Sequence, residues 1–369
     1  MVTANKKAII AMSGGVDSSV AALLSRDAGL ECVGVTMKLF ENEDLAAGAK
    51  ASGDAWRDSR SCCSLKDADD AARVCGMIGI PFYVFDFTED FRREVIGRFV
   101  EAYASGRTPN PCIDCNRYLK YDRLFRRMES LGFDSVVTGH YARTCRDDET
   151  GRWLLKRSLD ARKDQSYVLY SLTQKQLAHT RFPLGEYRKP EVREIAEANG
   201  FVNARKRDSQ DICFVPDGKY AAFIESYKGR AWPAGDFVDM DGNVLGRHEG
   251  IIRYTVGQRK GLGRAFGKPM YVADVRPESN EVVLGADEDL YHNEVRVRDV
   301  NLISRTSLDH PVRVTAKIRY NQKDNPASAV QTDDDEIVIT FDEPQRAVTR
   351  GQAAVMYDGD VVVGGGVIV

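Results

Sequence analysis

The residues with the clearest chemical demand are Ser13-Gly14-Gly15-Val16-Asp17-Ser18-Ser19, set between the apolar runs Ala8-Ile9-Ile10-Ala11-Met12 and Val20 to Leu24. A strand, a glycine turn and a helix start, in that order, aim backbone N–H groups at an anion on the helix N-terminus. The stretch is expected to cradle phosphate. It is not a Walker loop, because no Gly-Lys-Ser/Thr follows to carry a lysine to the β- and γ-phosphates. Asp17 places a carboxylate inside this anion site, where repulsion demands a divalent cation between it and the phosphates, so Mg²⁺ is expected.

A second set of residues concerns sulfur. Thr108-Pro109-Asn110-Pro111-Cys112-Ile113-Asp114-Cys115-Asn116 carries two prolines, expected to keep the backbone extended, and a Cys-x-x-Cys that brings two sulfurs within reach of one partner. Structural zinc needs a second such pair, and the sequence has none. It has instead one remote cysteine, Cys213, in Arg207-Asp208-Ser209-Gln210-Asp211-Ile212-Cys213-Phe214. Arg205, Lys206 and Arg207 precede it, and their positive field favours a thiolate. Cys112, Cys115 and Cys213 are therefore three candidates for one site. The adjacent Cys62-Cys63 pair suits neither one mononuclear metal nor an unstrained bridge, and is read as bland or accessory.

These groups need a scaffold, and the patterning supplies one. Val16 to Ala28 reads as a helix, and Cys32-Val33-Gly34-Val35-Thr36-Met37 as a doubly covered parallel strand. Phe82 to Phe85 and Ser135 to Thr138 repeat the strand pattern, with helices expected near 66–74, 91–104 and 120–131. Such alternation predicts a doubly wound α/β domain with ligands at the carboxyl ends of its strands. Met37 and Gly139-His140 then share a rim with the Ser13 loop. Met37 is placed to cover an adenine, Gly139 to let the base approach the backbone, and His140 to face the crevice. The nucleotide set is Ala11, Met12, Ser13, Gly14, Gly15, Val16, Asp17 and Ser18, with Met37 and Gly139.

The stretch from Asp44 to Arg60 has little periodicity and reads as an excursion, and a short helix is expected from Lys189 to Asn199. Beyond Cys213, short alternating segments punctuated by Gly, Pro and Asp indicate β modules. The expected organisation is a doubly wound parallel-sheet catalytic domain over 1–215, a small β-rich domain over 216–285 and a C-terminal β-barrel over 286–369.

Composition narrows the setting. At 369 residues, with 43% hydrophobic and 29% charged, the chain can bury the cores of two or three domains. It opens without a signal sequence, and its apolar runs are shorter than a membrane span, so a cytosolic protein with no membrane partner is expected. All eight cysteines lie at or before Cys213, which in a reducing compartment points to thiol or metal chemistry rather than a disulfide scaffold. The net charge of −3 gives no global pull toward nucleic acid. Two acid-free basic runs do, locally: Arg253, Arg259, Lys260, Arg264 and Lys268, then Arg313, Lys317, Arg319 and Lys323.

At Ser13 to Ser19 the chain resembles the PP-loop ATP pyrophosphatases, which cleave ATP between the α- and β-phosphates and adenylate an oxygen of their substrate. Further motifs follow in order: Thr-Pro-Asn-Pro with a cysteine beyond it, Thr-Gly-His-Tyr, Lys163-Asp164-Gln165-Ser166-Tyr167, Ser-Gln-Asp-Ile-Cys-Phe, and Gly257-Gln258-Arg259-Lys260-Gly261-Leu262-Gly263. With Arg319-Tyr320 and Gly351-Gln352 they make nearly the whole chain similar to the bacterial tRNA 2-thiouridylases. That resemblance implies Cys115 as nucleophile and Cys213 as persulfide carrier. It implies Asn110, Pro111 and Cys112 around the target base, and His140, Lys163, Asp164, Gln165, Arg319, Tyr320 and Gln352 against tRNA. It also implies a sulfur-donor protein, a cysteine desulfurase or relay carrier, as a partner. One position departs: the best-studied branch of the family has an aspartate where this chain has Cys112. The sulfur step can then run through a Cys213 persulfide resolved by Cys115 as a disulfide. Alternatively it runs through a [4Fe–4S] cluster held by Cys112, Cys115 and Cys213, and the extra cysteine favours this second form.

Overall fold

A computed structural model describes residues 6–40, 65–206, 208, 212–215 and 218–369. The excursion over 44–60, Cys62-Cys63, Arg207, Ser209 to Asp211 and the Pro216 boundary lie outside the described residues. The chain divides into two compact units. One comprises Met1–Val95, Cys112–Gly218 and Asp360–Val362, the other Ile96–Pro111, Lys219–Gly359 and Val363–Val369.

The first unit is built on a parallel sheet. Its strands are β1 (Lys7–Ala11), β2 (Glu31–Lys38), β3 (Phe82–Asp86), β4 (Ser135–Val137) and, beyond the hairpin below, a two-residue strand Thr180–Arg181. They lie in the order β3, β2, β1, β4, Thr180–Arg181, all parallel. Ile9 and Ile10 on β1 are fully buried, pairing with Val33 and Gly34 on one side and Val136 and Val137 on the other. A strand covered on both faces has no polar alternation, which is why its sequence is a continuous apolar run. Helices Val16–Asp27, Leu65–Ile78 and Lys189–Ala198 cover the sheet through Val20, Ala21, Val74, Ile78, Val192 and Ala196. Full burial of each large aliphatic side chain stabilises the fold by roughly 1.5–3 kcal/mol.

Two helical segments are wider than expected. The run expected near 91–104 begins at Thr88 and contains a π-helical turn, Arg92–Gly97. The run expected from Lys120 starts at Pro111, passes through a π-helix at Cys115–Arg123 and ends at Ser130. π turns are rare and concentrate at functional sites.

A hairpin, β5 (Ala142–Arg146) with β6 (Trp153–Arg157), also belongs to this unit. Val361 pairs with Lys156, and Asp360 binds Arg143 at 2.9 Å and Lys156 at 3.1 Å. Among the described residues no helix is long and apolar enough to cross a membrane.

The second unit holds two β modules. The first has β7 (Gly235–Val238), β8 (Val244–His248), β9 (Tyr271–Arg276) and β10 (Glu281–Gly285), in the order β9, β10, β7, β8, with helix Tyr220–Lys228. The second is a closed six-stranded barrel of Tyr291–Leu302, Glu336–Arg346, Asn325–Asp333, Val312–Lys317, Ala353–Asp358 and Val361–Ile368, the last pairing back onto the first. Closure removes exposed strand edges. The interior is filled by Val295, Val297, Ile337, Ile339, Phe341 and Met356.

His248 locks the first of these modules. Its Nε2 lies 3.0 Å from Asn280 O, its Nδ1 accepts Gly250 N–H at 3.0 Å, and its ring packs edge-on against Phe237 and Tyr254. Nδ1 must stay unprotonated to accept, and burial holds the imidazole below its ordinary 6.5 despite the Asn280 carbonyl. The unfolded chain therefore binds this proton at higher pH than the folded one. Stability should be full above 6.5 and fall as pH drops through and below it. Melting curves between about pH 7.5 and about pH 5.5 should show this loss, and His248→Gln, which cannot titrate, should reduce it to the part that buried His140 contributes.

Candidate functional site

The loop emerges from β1 under tight backbone control. Met12 N–H continues the strand ladder to Val35 O at 2.8 Å, and Met12 O accepts Thr36 Oγ1 at 2.9 Å, so Met12 is buried in the core. Ser13 turns outward and is exposed, while Gly15 and Asp17 are half-buried. Gly14 has φ +70°, and a Cβ there would overlap the backbone carbonyl of Asp67, so only glycine fits. Ser18 and Ser19 both donate to Gly15 O, at 3.1 and 3.0 Å, and Ser18 Oγ also accepts Ser13 N–H at 3.2 Å. Gly15 is the N-cap of helix Val16–Asp27 and makes no side-chain cap bond, which suits an incoming anion.

Gly139 has a steric reason to be glycine. A Cβ at Gly139 would stand 2.7 Å from Ser18 N and 2.8 Å from Asp17 C. The residue lets the end of β4 approach the helix start. Met37 lies at the end of β2 and is buried, Ala11 is half-buried, and Val16 and Ser18 are buried.

The charge on Asp17 is met within the chain. Lys189 Nζ lies 2.7 Å from both its oxygens, and Tyr141 donates its hydroxyl to Oδ1 at 2.8 Å. Burial, followed by the Asp17 charge, pushes the Tyr141 phenol far up, so it remains a donor. Lys189 Nζ also binds Asp208 Oδ1 at 2.8 Å, and Asp208 is further held by Lys163 at 2.7 Å and Arg193 at 3.3 Å. Burial would raise the Asp208 carboxyl, but hydrogen bonds and charge from Lys163 and Lys189 hold it below the ordinary range. Lys189 thus gives Asp17 a positive partner within the chain.

The loop is also pinned from behind. Asn203 Nδ2 donates to Gly14 O at 3.0 Å and to Ser19 Oγ at 2.9 Å. Lys206 Nζ reaches Gly14 O at 3.1 Å, Asp67 Oδ1 at 2.5 Å and Asp70 Oδ2 at 2.8 Å. Of the three basic residues expected to favour a Cys213 thiolate, Lys206 serves the loop and exposed Arg205 pairs with Glu197 at 3.1 Å, while Arg207 lies outside the described residues.

The thiols fall into two classes. Burial pushes Cys32 up to about 11 and Cys75 up to about 12, so both stay protonated and inert. Cys112 is exposed, and Cys115 and Cys213 are half-buried thiols. The backbone at Cys112 is helical rather than extended, because Pro111 takes the first position of helix Pro111–Asp114, where its missing N–H costs nothing. Asn110, half-buried, precedes it. Cys115 opens the π-helix, which is anchored by Asn116 Nδ2 to Val168 O at 3.0 Å and by Arg123 to Asp90 at 3.1 Å. Next to Cys213, buried Phe214 packs against Phe91, which packs against Phe40. Among the described residues no three or more His, Cys, Asp or Glu side chains are gathered to hold a metal ion. Cys112, Cys115 and Cys213 are not found in any such group.

Other expected substrate contacts have structural partners. His140 is buried, not facing a crevice; Nδ1 lies 2.8 Å from Thr138 Oγ1 and 3.2 Å from Tyr121 OH. Burial, then the Lys120 charge, holds the imidazole well below 6.5 and hence neutral. Gln165 clasps Tyr141, its Oε1 accepting Tyr141 N–H and its own N–H donating to Tyr141 O, both at 2.9 Å. Asp164 accepts Ser158 N–H at 3.1 Å and Ser166 Oγ at 2.8 Å. In the second unit, Arg319 donates to Ala347 O and, at 3.0 Å, to Thr349 Oγ1, with Tyr320 half-buried beside it. There Gln352 Nε2 donates to Thr108 O at 2.8 Å, and Thr108 N–H to Arg350 O at 2.8 Å.

Sequence reading missed Tyr141, Lys189, Asn203, Lys206 and Asp208 as members of the site. One signal was present: Lys189 is a basic residue in the first turn of a helix, where the dipole favours acids.

Three domain-family models match the chain: a tRNA methyl transferase HUP domain over 6–217, a tRNA methyl transferase PRC-barrel domain over 221–286 and an aminomethyltransferase beta-barrel domain over 292–368. Whole-length relatives include a tRNA-specific 2-thiouridylase MnmA of Clostridioides difficile, 51% identical over 99% of this chain and 98% of its own. Proteins of the same name from Lachnoclostridium phytofermentans and Clostridium botulinum are 49% and 46% identical, covering 99% and 100% of this chain and 99% of each relative.

Gly139→Ala should force β4 and the helix start apart and weaken nucleotide binding by about tenfold or more, with the fold retained. Calorimetric titration with an ATP analogue, paired with a melting curve, checks this.

Proposed function

The chain belongs to the tRNA-specific 2-thiouridylase (MnmA) family, and from that premise we propose that it is a tRNA sulfurtransferase that replaces the 2-oxo oxygen of a wobble uridine by sulfur at the expense of ATP. The observation that carries the reading is the tie between the nucleotide loop and the chain leading to Cys213. Asn203 and Lys206 grip Gly14, Asp208 is held to Asp17 through Lys189, and five residues later stands the thiol. A loop for adenylation and a thiol five residues beyond a segment held to that loop are what oxygen-to-sulfur exchange requires.

Each group then has a role. The amides at the start of helix Val16–Asp27, with Ser13 and Ser18, bind the polyphosphate of ATP, and Met37 and Gly139 lie on the rim given to the adenine. The uridine O2 bonds to the α-phosphorus as pyrophosphate leaves, which turns a poor leaving group into a good one. Mg²⁺ bound with the triphosphate would neutralise the departing charge, and Asp17 is the residue to hold it. The terminal sulfur of a Cys213 persulfide attacks C2, and AMP departs with the former O2. The Cys115 thiolate then attacks Cys213 Sγ, leaving the sulfur on C2 and a Cys115–Cys213 disulfide that an external thiol reduces. The persulfide is charged by a sulfur-donor protein, a desulfurase or relay carrier. This route is favoured over an iron–sulfur cluster because the three thiols are not gathered as ligands.

Asn110, Pro111 and Cys112 frame the base, with Thr108 fixed by Gln352 so that the segment is presented in one conformation. Lys163, Asp164, Gln165, His140, Arg319, Tyr320 and Gln352 belong to the tRNA surface, to which Gln165, Arg319 and Gln352 contribute by holding protein backbone. Direct phosphate contacts fall to the acid-free run with Arg259 and Lys260. The three domains are taken as 1–215, 216–285 and 286–369.

Incubation with ATP, a sulfide source and tRNA, followed by nucleoside mass spectrometry, should give the mass gain of a sulfur-for-oxygen exchange rather than of a methyl group. Cys115→Ser or Cys213→Ser should abolish the product while ATP still binds; loss of ATP binding would mean the thiols are structural. Cys112→Ser should keep most of the activity, whereas a three-cysteine cluster would lose it. Removing Arg259 and Lys260 together should lower the salt dependence of tRNA binding by about two ion equivalents.

A further inference from the structure

The segment Thr108-Pro109-Asn110-Pro111 belongs to the second unit, with Lys219–Gly359 and Val363–Val369. Its covalent geometry leaves it little freedom. The rings of Pro109 and Pro111 fix two φ angles, and Thr108 and Asn110 each precede a proline and are restricted in turn. How Thr108 is held therefore decides how Asn110 is presented.

Both β modules of the unit hold Thr108. On the barrel side, Arg350 O accepts its N–H at 2.8 Å and Gln352 Nε2 donates to its O at 2.8 Å. Gly351, between them, has φ +89°, and a Cβ there would stand 2.9 Å from Arg107 Cβ and 3.1 Å from Thr108 N. On the other side, Gly106 rests against β9, where a Cβ would stand 3.0 Å from Val275 O. The Thr108 hydroxyl donates to Thr255 Oγ1 at 3.2 Å.

Thr255 is equipped to receive that bond. Tyr103, on helix Arg98–Ala104, and Tyr220, on helix Tyr220–Lys228, stack with ring centroids 4.8 Å apart, and both hydrogen-bond the Thr255 side chain. Tyr220 gives its own proton to Arg253 O at 3.1 Å, so toward Thr255 it accepts. A hydroxyl has one proton and two acceptor lone pairs. Thr255 fills all three by donating to Tyr220 and accepting from Tyr103 and Thr108. Burial pushes both phenols up, so their protons stay in place at neutral pH. The Thr255 backbone is set as well: Gln258 Oε1 accepts its N–H and Gln258 N–H donates to its O, both at 3.0 Å.

Resting on the reading of Asn110 and Pro111 as the frame of the target base, we infer that Thr255 is a positioning residue for thiolation, which fixes the Thr108 side chain and, through the stiff dipeptide that follows, the placement of Asn110 beside the uridine. It acts through Thr108 and touches no substrate. Its loss costs alignment of the bound base rather than binding of the tRNA.

The test is single-turnover thiolation of unmodified tRNA by full-length variants with saturating ATP and a sulfide source, beside filter-binding measurement of tRNA affinity and a melting curve. Thr255→Val keeps the shape and removes the hydroxyl. It should slow thiolation at saturating tRNA by about tenfold while the tRNA Kd stays within about twofold, because a small misplacement of a bound substrate is costly to rate alone. Thr255→Ser should keep the rate. Thr108→Val combined with Thr255→Val should be no slower than the slower single variant, since both remove one bond. Thr108→Val decides the matter if Thr255→Val fails to fold. A Thr255→Val rate equal to wild type, a Thr255→Ser rate as low as that of Thr255→Val, a loss confined to tRNA affinity, or single-variant effects that multiply in the double variant overturns the inference. Wild type that thiolates while Thr255→Val keeps pace sinks only the positioning. Wild type that thiolates no tRNA sinks the proposed function, and the positioning is then read from photocross-linking of residues 108–111 to tRNA carrying 5-bromouridine at the wobble position. Thr255→Val should cut that yield by about fivefold, and an unchanged yield overturns the positioning as well.

Discussion

One ammonium between two carboxylates orders the catalytic half of this protein. Lys189 joins Asp17, on the helix that follows the phosphate loop, to Asp208, on the stem leading to Cys213. Losing one partner of a fully buried ion pair costs roughly 3–5 kcal/mol; the penalty is smaller here because Asp17 retains 30% exposure and Asp208 23%. The value of the arrangement is in geometry more than stability. It ties the orientation of the Asp17 carboxylate to Asp208.

The surrounding contacts serve the same end. Asn203 and Lys206 grip the Gly14 carbonyl, Gln165 clasps Tyr141, and Tyr141 donates to Asp17. Backbone atoms of the loop are thereby restrained from both sides, and its amides remain oriented toward an anion. Preorganised donors of this kind need no rearrangement when charge arrives, which is where electrostatic stabilisation gains its effect. The buried, neutral His140, hydrogen-bonded through Thr138 and Tyr121, ties the end of β4 to the π-helix that begins at Cys115.

The second unit applies similar logic to a different segment. Thr108 is gripped through its N–H by Arg350 O and through its O by Gln352, and Arg319 braces the turn at Ala347, whose φ of +56° is unusual for a residue with a Cβ. Residues that resemblance assigned to tRNA are thus occupied in holding backbone.

Local sequence determined a good deal. The Ser13–Ser19 loop, the apolar strands that flank it and the alternation of strand and helix were legible because they depend on backbone sterics and on periodicities of a few residues. The closed barrel was legible as a class, from turns and alternation. Tertiary structure decided what no window of sequence contains: that Lys189, 172 residues from Asp17, would pair with it, that Lys206 would bind Asp67 and Asp70, and that His140 would be buried. It also set the Cys-x-x-Cys on a helix begun by Pro111. Pairing of charges across such separations follows from how helices dock on a sheet. Charge and identity can be read one residue at a time, but partnership is a property of the folded chain.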